Sequence, residues 1–195
     1  MIGQITPLVQ AAMGKRRWVQ ATVGHIAGAT LSAAFLGVVL AACGVALGLD
    51  RRGPPVGVVA VFLLICALQD AGAWHGWRPH LQRQTPAWFR QVFGPVGGAV
   101  AWGVDLGQGW TTLILFSGYY ALVVWAVLGA QPTVATAVLG AYGLGRGLPV
   151  LTTGLRARGV HLGMLATSYL TRLPLLYRIN ALALAVVGGY MLAGR

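Results

Sequence analysis

The sequence has very few residues that carry charge or catalyse reactions. Only 9% of its 195 residues are charged, and its acidic residues are three aspartates. It has four histidines and two cysteines. An ordinary soluble domain carries roughly 25% charged residues, so this composition excludes that class. It also leaves few groups for acid–base, nucleophilic or metal chemistry, and we expect neither enzyme activity nor a bound cofactor.

Apolar residues and glycine dominate the chain instead. Hydrophobic residues make up 57% of the sequence, which also has 29 glycines and 9 prolines. Glycine and proline within apolar runs are typical of closely packed transmembrane helices. Two glycine pairs, Gly24/Gly28 and Gly44/Gly48, have a spacing that allows close helix contact, within the chain or between copies. The sequence therefore predicts an all-α fold, a polytopic transmembrane helical bundle that forms one domain, residues 1–195.

Charges, prolines and glycines divide the chain into five apolar runs, which predict five membrane crossings. Residues 1–20 form a mostly polar lead that we expect on the membrane surface. The third run is too long for one straight crossing, and its glycine-rich stretch at 103–109 predicts a broken or re-entrant first part. Residues 160–171 are too few to cross about 30 Å of hydrocarbon and are expected at the interface. The predicted spans are near residues 21–49, 56–74, 94–130, 132–155 and 175–193.

The basic residues give the chain a formal charge of +11 and indicate its topology. They lie between the apolar runs rather than on a soluble face, which favours contact with lipid headgroups over a nucleic-acid partner. Most of them fall on the side that holds the N-terminus. Because Lys and Arg are retained preferentially on the cytoplasmic side, we expect a multi-pass cell-membrane protein with a cytoplasmic N-terminus. The basic residues on that side are Lys15, Arg16, Arg17, Arg78, Arg83, Arg90, Arg156, Arg158, Arg172 and Arg178.

The candidate binding residues are the polar ones inside the apolar runs. Asp105 lies in the glycine-rich interruption, where an intramembrane carboxylate costs several kcal/mol unless it is paired or hydrated. Arg146 lies in the fourth run, and Pro149 just beyond it is expected to kink the helix. The residues predicted to line a polar cavity are Asp105, Gln108, Thr111, Thr112 and Arg146.

Both charges also have a purely structural explanation. Asp105 near the membrane surface would cap the helix that follows it. Arg146 would extend its side chain toward the lipid headgroups. A buried pair of Asp105 and Arg146 is the alternative, since each charge lowers the cost of burying the other.

The remaining reactive residues give weak signals. Cys43 and Cys66 lack the CxxC spacing of a redox pair and are expected to be small apolar fillers. One aspartate and three histidines could collect near the ends of the first two spans, but their spacing is not that of a metal site. These residues are His25, Asp70, His75 and His80.

The segment at 141–151 resembles a known membrane protein family. Its sequence, AYGLGRGLPVL, is similar to the kinked "AYxLGxGLPF" helix of the CcdA/DsbD transmembrane family, the thiol-reductant conduits of cytochrome c biogenesis. The preceding stretch, 103–112, looks like the glycine-rich approach to the family's "TPC" element, although no cysteine fills that position here. The resemblance covers the chain from Gly94 onward, and the first two spans more loosely.

The resemblance implies a broken-helix core without thiol reductase activity. The family's first helix, which carries the other redox cysteine, is missing, and this loss agrees with five spans and a cytoplasmic N-terminus. Two functional classes remain open. One is an accessory or scaffold subunit that packs against other membrane subunits or a second copy. The other is a small-solute or metal-ion transporter, since the larger superfamily that resembles this fold includes such exporters.

Overall fold

The computed structural model describes residues 7–52, 55–74, 88–109, 114, 116–156 and 162–194. Within these residues the secondary structure is helical, so the prediction of an all-α helical bundle is confirmed. A short 3-10 turn, Asp50–Arg52, lies between the first two long helices. The helices are α1 (Pro7–Ala46), α2 (Val56–Asp70), α3 (Phe89–Gln108), α4 (Gly118–Gly129), α5 (Pro132–Arg156) and α6 (Leu162–Ala193).

The lengths and surfaces of these helices are those of a membrane protein. Three helical segments are long and apolar enough to cross a membrane: Gly14–Ala46, Pro132–Leu151 and Thr171–Ala193. The helices α2 and α4 are shorter but also apolar. Large apolar side chains such as Phe35 and Leu182 lie on the outside of the bundle, with 68% and 67% of their surface exposed. Soluble monomers rarely expose extended apolar surfaces, so we assign this outer face to lipid.

Glycine and proline mark the ends of several helices. Gly48 follows α1 with φ of 70°, and Gly72 follows α2 with φ of 76°. These left-handed conformations are easy for glycine and allow the chain to leave a helix. Pro55 precedes α2, and Pro132 is the first residue of α5, where its missing N–H costs no helical hydrogen bond.

Helix α1 lies at the centre and packs against α3, α4 and α5 through its small residues. A Cβ atom added to Gly28 would lie 2.7 Å from a backbone oxygen of α3, and one added to Gly37 would lie 2.5 Å from a backbone oxygen of α5. Gly24 and Gly44 also contact neighbouring helices closely, and Gly48 forms the turn after α1. The two glycine pairs therefore serve packing and turning within the chain.

The same contacts fix the directions of the helices. Helix α3 runs parallel to α1, and α5 runs antiparallel to it. The start of α1, the start of α3 and the end of α5 therefore share one end of the bundle, here called the basic end because Lys15, Arg16 and Arg17 lie there. The contacts that set these directions are Gly28 with Val100, Ser32 with Val104, Gly37 with Ala135, and Gly147 with Ile26.

Helix α4 joins two groups of helices. It contributes to one apolar cluster with α1 and α5 and to a second with α2, against which α6 also packs. Burial of these side chains is the main contact between the two groups among the described residues. The first cluster is Ala41, Ala126, Ala135 and Leu139, and the second is Val59, Leu63, Cys66 and Ala121.

Two helices extend beyond the spans that the sequence predicts. Helix α1 starts at Pro7, is interrupted at Gly14 (φ 69°), and includes the basic cluster that was expected in a surface lead. Helix α6 starts at Leu162 and includes most of the stretch expected at the interface. Lys and Arg are good helix formers, and their aliphatic stems can lie along apolar surface, so charge alone does not end a helix.

Candidate functional site

The most unusual feature of the bundle is the break between α3 and α4. Both helices follow α1 in the same direction, but α3 ends at Gln108 and α4 begins only at Gly118. Helix α4 has 12 residues, so it rises only about 18 Å from the end that it shares with the start of α5. The break therefore lies inside the bundle. The sequence predicts an interruption at 103–109, but residues 103–108 continue α3, because Gly103 and Gly107 let it pack closely against α1, and the break begins at Gly109.

Arg146 and Tyr119 supply hydrogen bonds to the last turn of α3. The last four carbonyl groups of a helix have no partner within it, and inside a membrane they need one from elsewhere. The Arg146 guanidinium, from α5, donates from Nη1 to the backbone oxygen of Leu106 at 2.9 Å. The Tyr119 hydroxyl, from α4, donates to the backbone oxygen of Gln108 at 2.5 Å. The C-terminal end of the first half-helix is thus satisfied by two neighbouring helices.

Gly109 allows this approach. Its φ of 78° is a conformation that other residues rarely adopt, and a Cβ atom there would lie 2.6 Å from the Tyr119 hydroxyl oxygen. Tyr142 completes the surroundings, with its ring centre 5.3 Å from that of Tyr119 and 5.8 Å from the guanidinium carbon of Arg146. The latter distance is within the range of a cation–π contact.

Asp70 caps the other side of the break. Its carboxylate, at the end of α2, accepts hydrogen bonds from the Ser117 backbone N–H at 3.0 and 3.2 Å and from the Ser117 hydroxyl at 2.8 Å. The Asn180 side chain, from α6, donates to the same carboxylate at 2.6 Å. The Ser117 hydroxyl also lies 3.2 Å from the Gln69 side-chain oxygen. Asp70 and Ser117 are 5% and 0% exposed, so this polar cluster is buried.

The two caps match the charges of the two helix ends. The C-terminal end of a helix carries a partial negative charge and the N-terminal end a partial positive charge. Here the cation Arg146 binds the C-terminal end of α3, and the anion Asp70 binds the N-terminal end of α4. Each charge therefore stabilises the half-helix that it contacts, which offsets part of the cost of burying it.

The structure brings most of the predicted cavity residues to this break. Asp105 lies in the last turn of α3, beside the Leu106 carbonyl that Arg146 binds, and Gln108 is the last residue of α3. A direct ion pair between Asp105 and Arg146 stays a prediction. Pro149 lies inside α5, one turn beyond Arg146. The remaining two predicted residues, Thr111 and Thr112, lie outside the described residues.

The polar cluster around Asp70 was not among the predicted cavity residues, and neither were Gly109, Tyr119 and Tyr142. The cluster consists of Gln69, Asp70, Ser117 and Asn180. The sequence does contain a signal for two of them, because Asp70 and Asn180 are polar residues at the end of, or within, an apolar run. An intramembrane ionisable residue indicates a functional or paired position. The sequence predicts for Asp70 only a weak metal-site signal, which it shares with the histidines.

His25 and Asp70, which share a weak metal-site signal in the sequence, have different neighbours in the structure. The His25 Nδ1 atom lies 3.1 Å from the backbone oxygen of Ala99. Because a carbonyl oxygen only accepts, Nδ1 carries the proton, and this hydrogen bond links α1 to α3. Asp70 contacts α4 and α6 instead. In the described part of the chain, no group of three or more metal-ligating side chains occurs. His75 and His80 lie outside the described residues.

One face of α1 carries three buried polar atoms that lack a hydrogen-bond partner among the described residues. They are the Trp18 Nε1, the Thr22 hydroxyl oxygen and the His25 Nε2. The three side chains are 7%, 1% and 4% exposed. Because burying an unbonded polar group costs about 1–3 kcal/mol, these atoms mark the least satisfied part of the core near the basic end.

No family model, curated protein or solved structure matches this chain in the three comparisons with known proteins.

Proposed function

We propose that the protein is an accessory or scaffold subunit of a larger membrane complex, with a CcdA-like helical core that carries out no thiol redox chemistry. The observation that carries this proposal is the internal capping of the break. Arg146 occupies the position at the end of α3 where a transported cation would bind, and Asp70 occupies the position at the start of α4 where an anion would bind. A break filled by the chain's own charges is suited to a fixed framework.

The positions of the two thiols support the absence of redox chemistry. Cys43 and Cys66 are not joined in a disulfide, and Cys43 is exposed on α1 while Cys66 is buried on α2. Neither lies in the broken segment, where the resembling family has its "TPC" element. A thiol relay requires two cysteines that can meet and exchange a disulfide, so these positions favour a packing role.

We infer a topology of five crossings, with α3 and α4 together forming the third. The basic end then faces the cytoplasm, because it gathers most of the positive charge. The N-terminus lies on that side, and α6 delivers the C-terminus to the opposite side of the cell membrane.

The test of the subunit proposal is co-purification. The tagged protein is expressed in its native membrane at its natural level, extracted in a mild detergent and separated by size, and every co-migrating protein is quantified by mass spectrometry. We expect at least one other membrane protein in a fixed ratio. A similarly tagged, unrelated membrane protein of the same abundance is the control. If only this chain is recovered, as monomer or homodimer, the subunit proposal fails.

A transporter is the second candidate, and the break itself is the observation in its favour. Opposed half-helix ends inside a membrane form the substrate and ion sites of many transporters. In this alternative Asp105 belongs to the polar cavity, so Asp105→Asn should abolish flux while the protein still inserts. Proteoliposomes that contain proton- or zinc-sensitive dyes provide the assay. Asp50→Asn, on the exposed 3-10 turn, is the matched control.

A further inference from the structure

Helices α1 and α5 border an apolar groove on the outer face of the bundle. Its volume is about 400 Å³. Val23 and Leu31, on its α1 side, are 59% and 69% exposed, so the groove opens toward lipid. Its lining residues are Val23, Ile26, Ala27, Thr30, Leu31 and Leu144.

The groove offers a ligand only apolar contacts. Thr30 is the one lining residue with a polar side chain, and its hydroxyl donates to the backbone oxygen of Ile26 at 2.8 Å. Gly147 lets α5 approach α1 closely here, since a Cβ atom at that position would lie 3.1 Å from the Ile26 Cα. Leu144, one turn earlier on α5, forms the opposite wall. An open, apolar groove of this kind fits a hydrocarbon chain.

A cation lies on the same face of α1 at the basic end. Arg16, Gln20, Val23, Ala27 and Leu31 follow one another at intervals of three or four residues, which places them on one side of the helix. Arg16 and Gln20 are exposed. Arg16 lies two helical turns, about 10 Å, from Val23, and its guanidinium can extend toward the lipid headgroups.

We propose that this surface is a binding site for one anionic phospholipid. One acyl chain lies in the α1–α5 groove, and the phosphate contacts Arg16, with Lys15 and Arg17 adding to the positive potential. The direction of the site agrees with a bilayer, because the cation is at the basic end and the groove extends from it into the hydrocarbon region. The formal charge of +11 favours an anionic headgroup over a neutral one. This proposal is independent of the subunit and transporter proposals.

Native mass spectrometry of the delipidated protein in detergent tests the site. The protein is titrated with phosphatidylglycerol and, separately, with phosphatidylcholine of the same acyl chains. We expect one phosphatidylglycerol molecule to bind saturably. Phosphatidylcholine should bind clearly more weakly. Arg16→Gln should weaken phosphatidylglycerol binding roughly fivefold, which is the effect of about 1 kcal/mol per cation near a membrane surface. Arg51→Gln, on the 3-10 turn that follows the opposite end of α1, is the control and should leave binding unchanged.

A second variant tests the groove separately from the charge. Ala27→Trp fills the groove from an exposed position and should abolish the saturable binding, whereas Ala183→Trp, exposed on α6, should not. Soluble glycerol phosphate should fail to compete, because it lacks the acyl chain. The proposal is overturned if the two lipids bind equally, if Ala27→Trp binds like the unaltered protein, or if glycerol phosphate displaces the lipid. Circular dichroism confirms that each variant remains helical.

Discussion

At the scale of single residues, Asp70 is held by several hydrogen bonds within the described part of the chain. Three described donor groups, two from Ser117 and one from Asn180, converge on its carboxylate in a buried environment. A carboxylate accepts several hydrogen bonds at once, and hydrogen bonds to a charged group contribute more than those between neutral groups. The arrangement therefore requires an acid at this position rather than a polar residue in general.

Asp70→Asn tests that requirement. The amide keeps the shape of the side chain but replaces one accepting oxygen with an NH2 group, which faces the donors of Ser117 or Asn180. We expect the free energy of unfolding to fall by about 2 kcal/mol, the contribution of a hydrogen bond to a charged group. Denaturant titration in detergent measures it. Asp50→Asn, at an exposed position, should have little effect, and equal stability of the two variants would contradict the capping role of Asp70.

For Thr22 we predict the opposite effect, namely that removing its polar group does not lower the free energy of unfolding. It is 1% exposed, and its hydroxyl has no hydrogen-bond partner among the described residues. Valine has nearly the same shape without the hydroxyl, so Thr22→Val should leave the free energy of unfolding unchanged or raise it by up to about 1 kcal/mol. Ser117→Ala, which removes a bonded hydroxyl, should lower it under the same conditions. A clear loss of stability in Thr22→Val would instead indicate a buried water that bonds this hydroxyl.

At the scale of helices, the broken crossing depends on caps from helices distant in sequence. A glycine with positive φ, such as Gly109, can end a helix, but the freed carbonyl groups are costly in a membrane unless donors reach them. Arg146 of α5 and Tyr119 of α4 provide donors for α3, and Asp70 of α2 provides the acceptor for α4. Side chains from α2, α4 and α5 therefore stabilise the two helix ends at the break between α3 and α4.

Arg146→Met tests the cap on α3. Methionine keeps much of the apolar length of arginine but leaves the Leu106 carbonyl without this donor, which should lower the free energy of unfolding by about 1–3 kcal/mol. Hydrogen exchange should rise in the last turn of α3 before it rises elsewhere. Arg146→Lys retains a cationic donor and should restore part of the protection. Arg172→Met, exposed on α6, is the control. Unchanged exchange in α3 would mean that Arg146 does not stabilise this end.

The sequence predicts the helices and the break better than it predicts the site. Apolar runs and the glycines near Gly109 are local signals, and the structure has helices and an interruption at these places. The bonds that complete the site are not local: Asp70 lies 47 residues from Ser117 and 110 residues from Asn180. A buried charge is favourable only with its partners, so its role cannot be deduced before the fold brings those partners to it.

At the scale of the whole molecule, the distribution of charge along the bundle predicts its orientation. Lys15, Arg16, Arg17 and Arg90 are exposed at the basic end. Cations near the ends of spans are retained on the cytoplasmic side, and this preference acts on the whole bundle through its connected helices. The inferred topology depends on the break as well, because α3 and α4 must form one crossing for the two termini to lie on opposite sides.

Cysteine labelling tests this topology in intact cells. In a Cys43→Ser, Cys66→Ala background, single cysteines replace Arg17, Gln131 or Gly194, and a membrane-impermeant maleimide is added from outside. We expect labelling at positions 131 and 194 and, at position 17, only after permeabilisation. The cysteine-free background is the control. If positions 17 and 194 react from the same side, the number of crossings is even and the five-crossing topology is wrong.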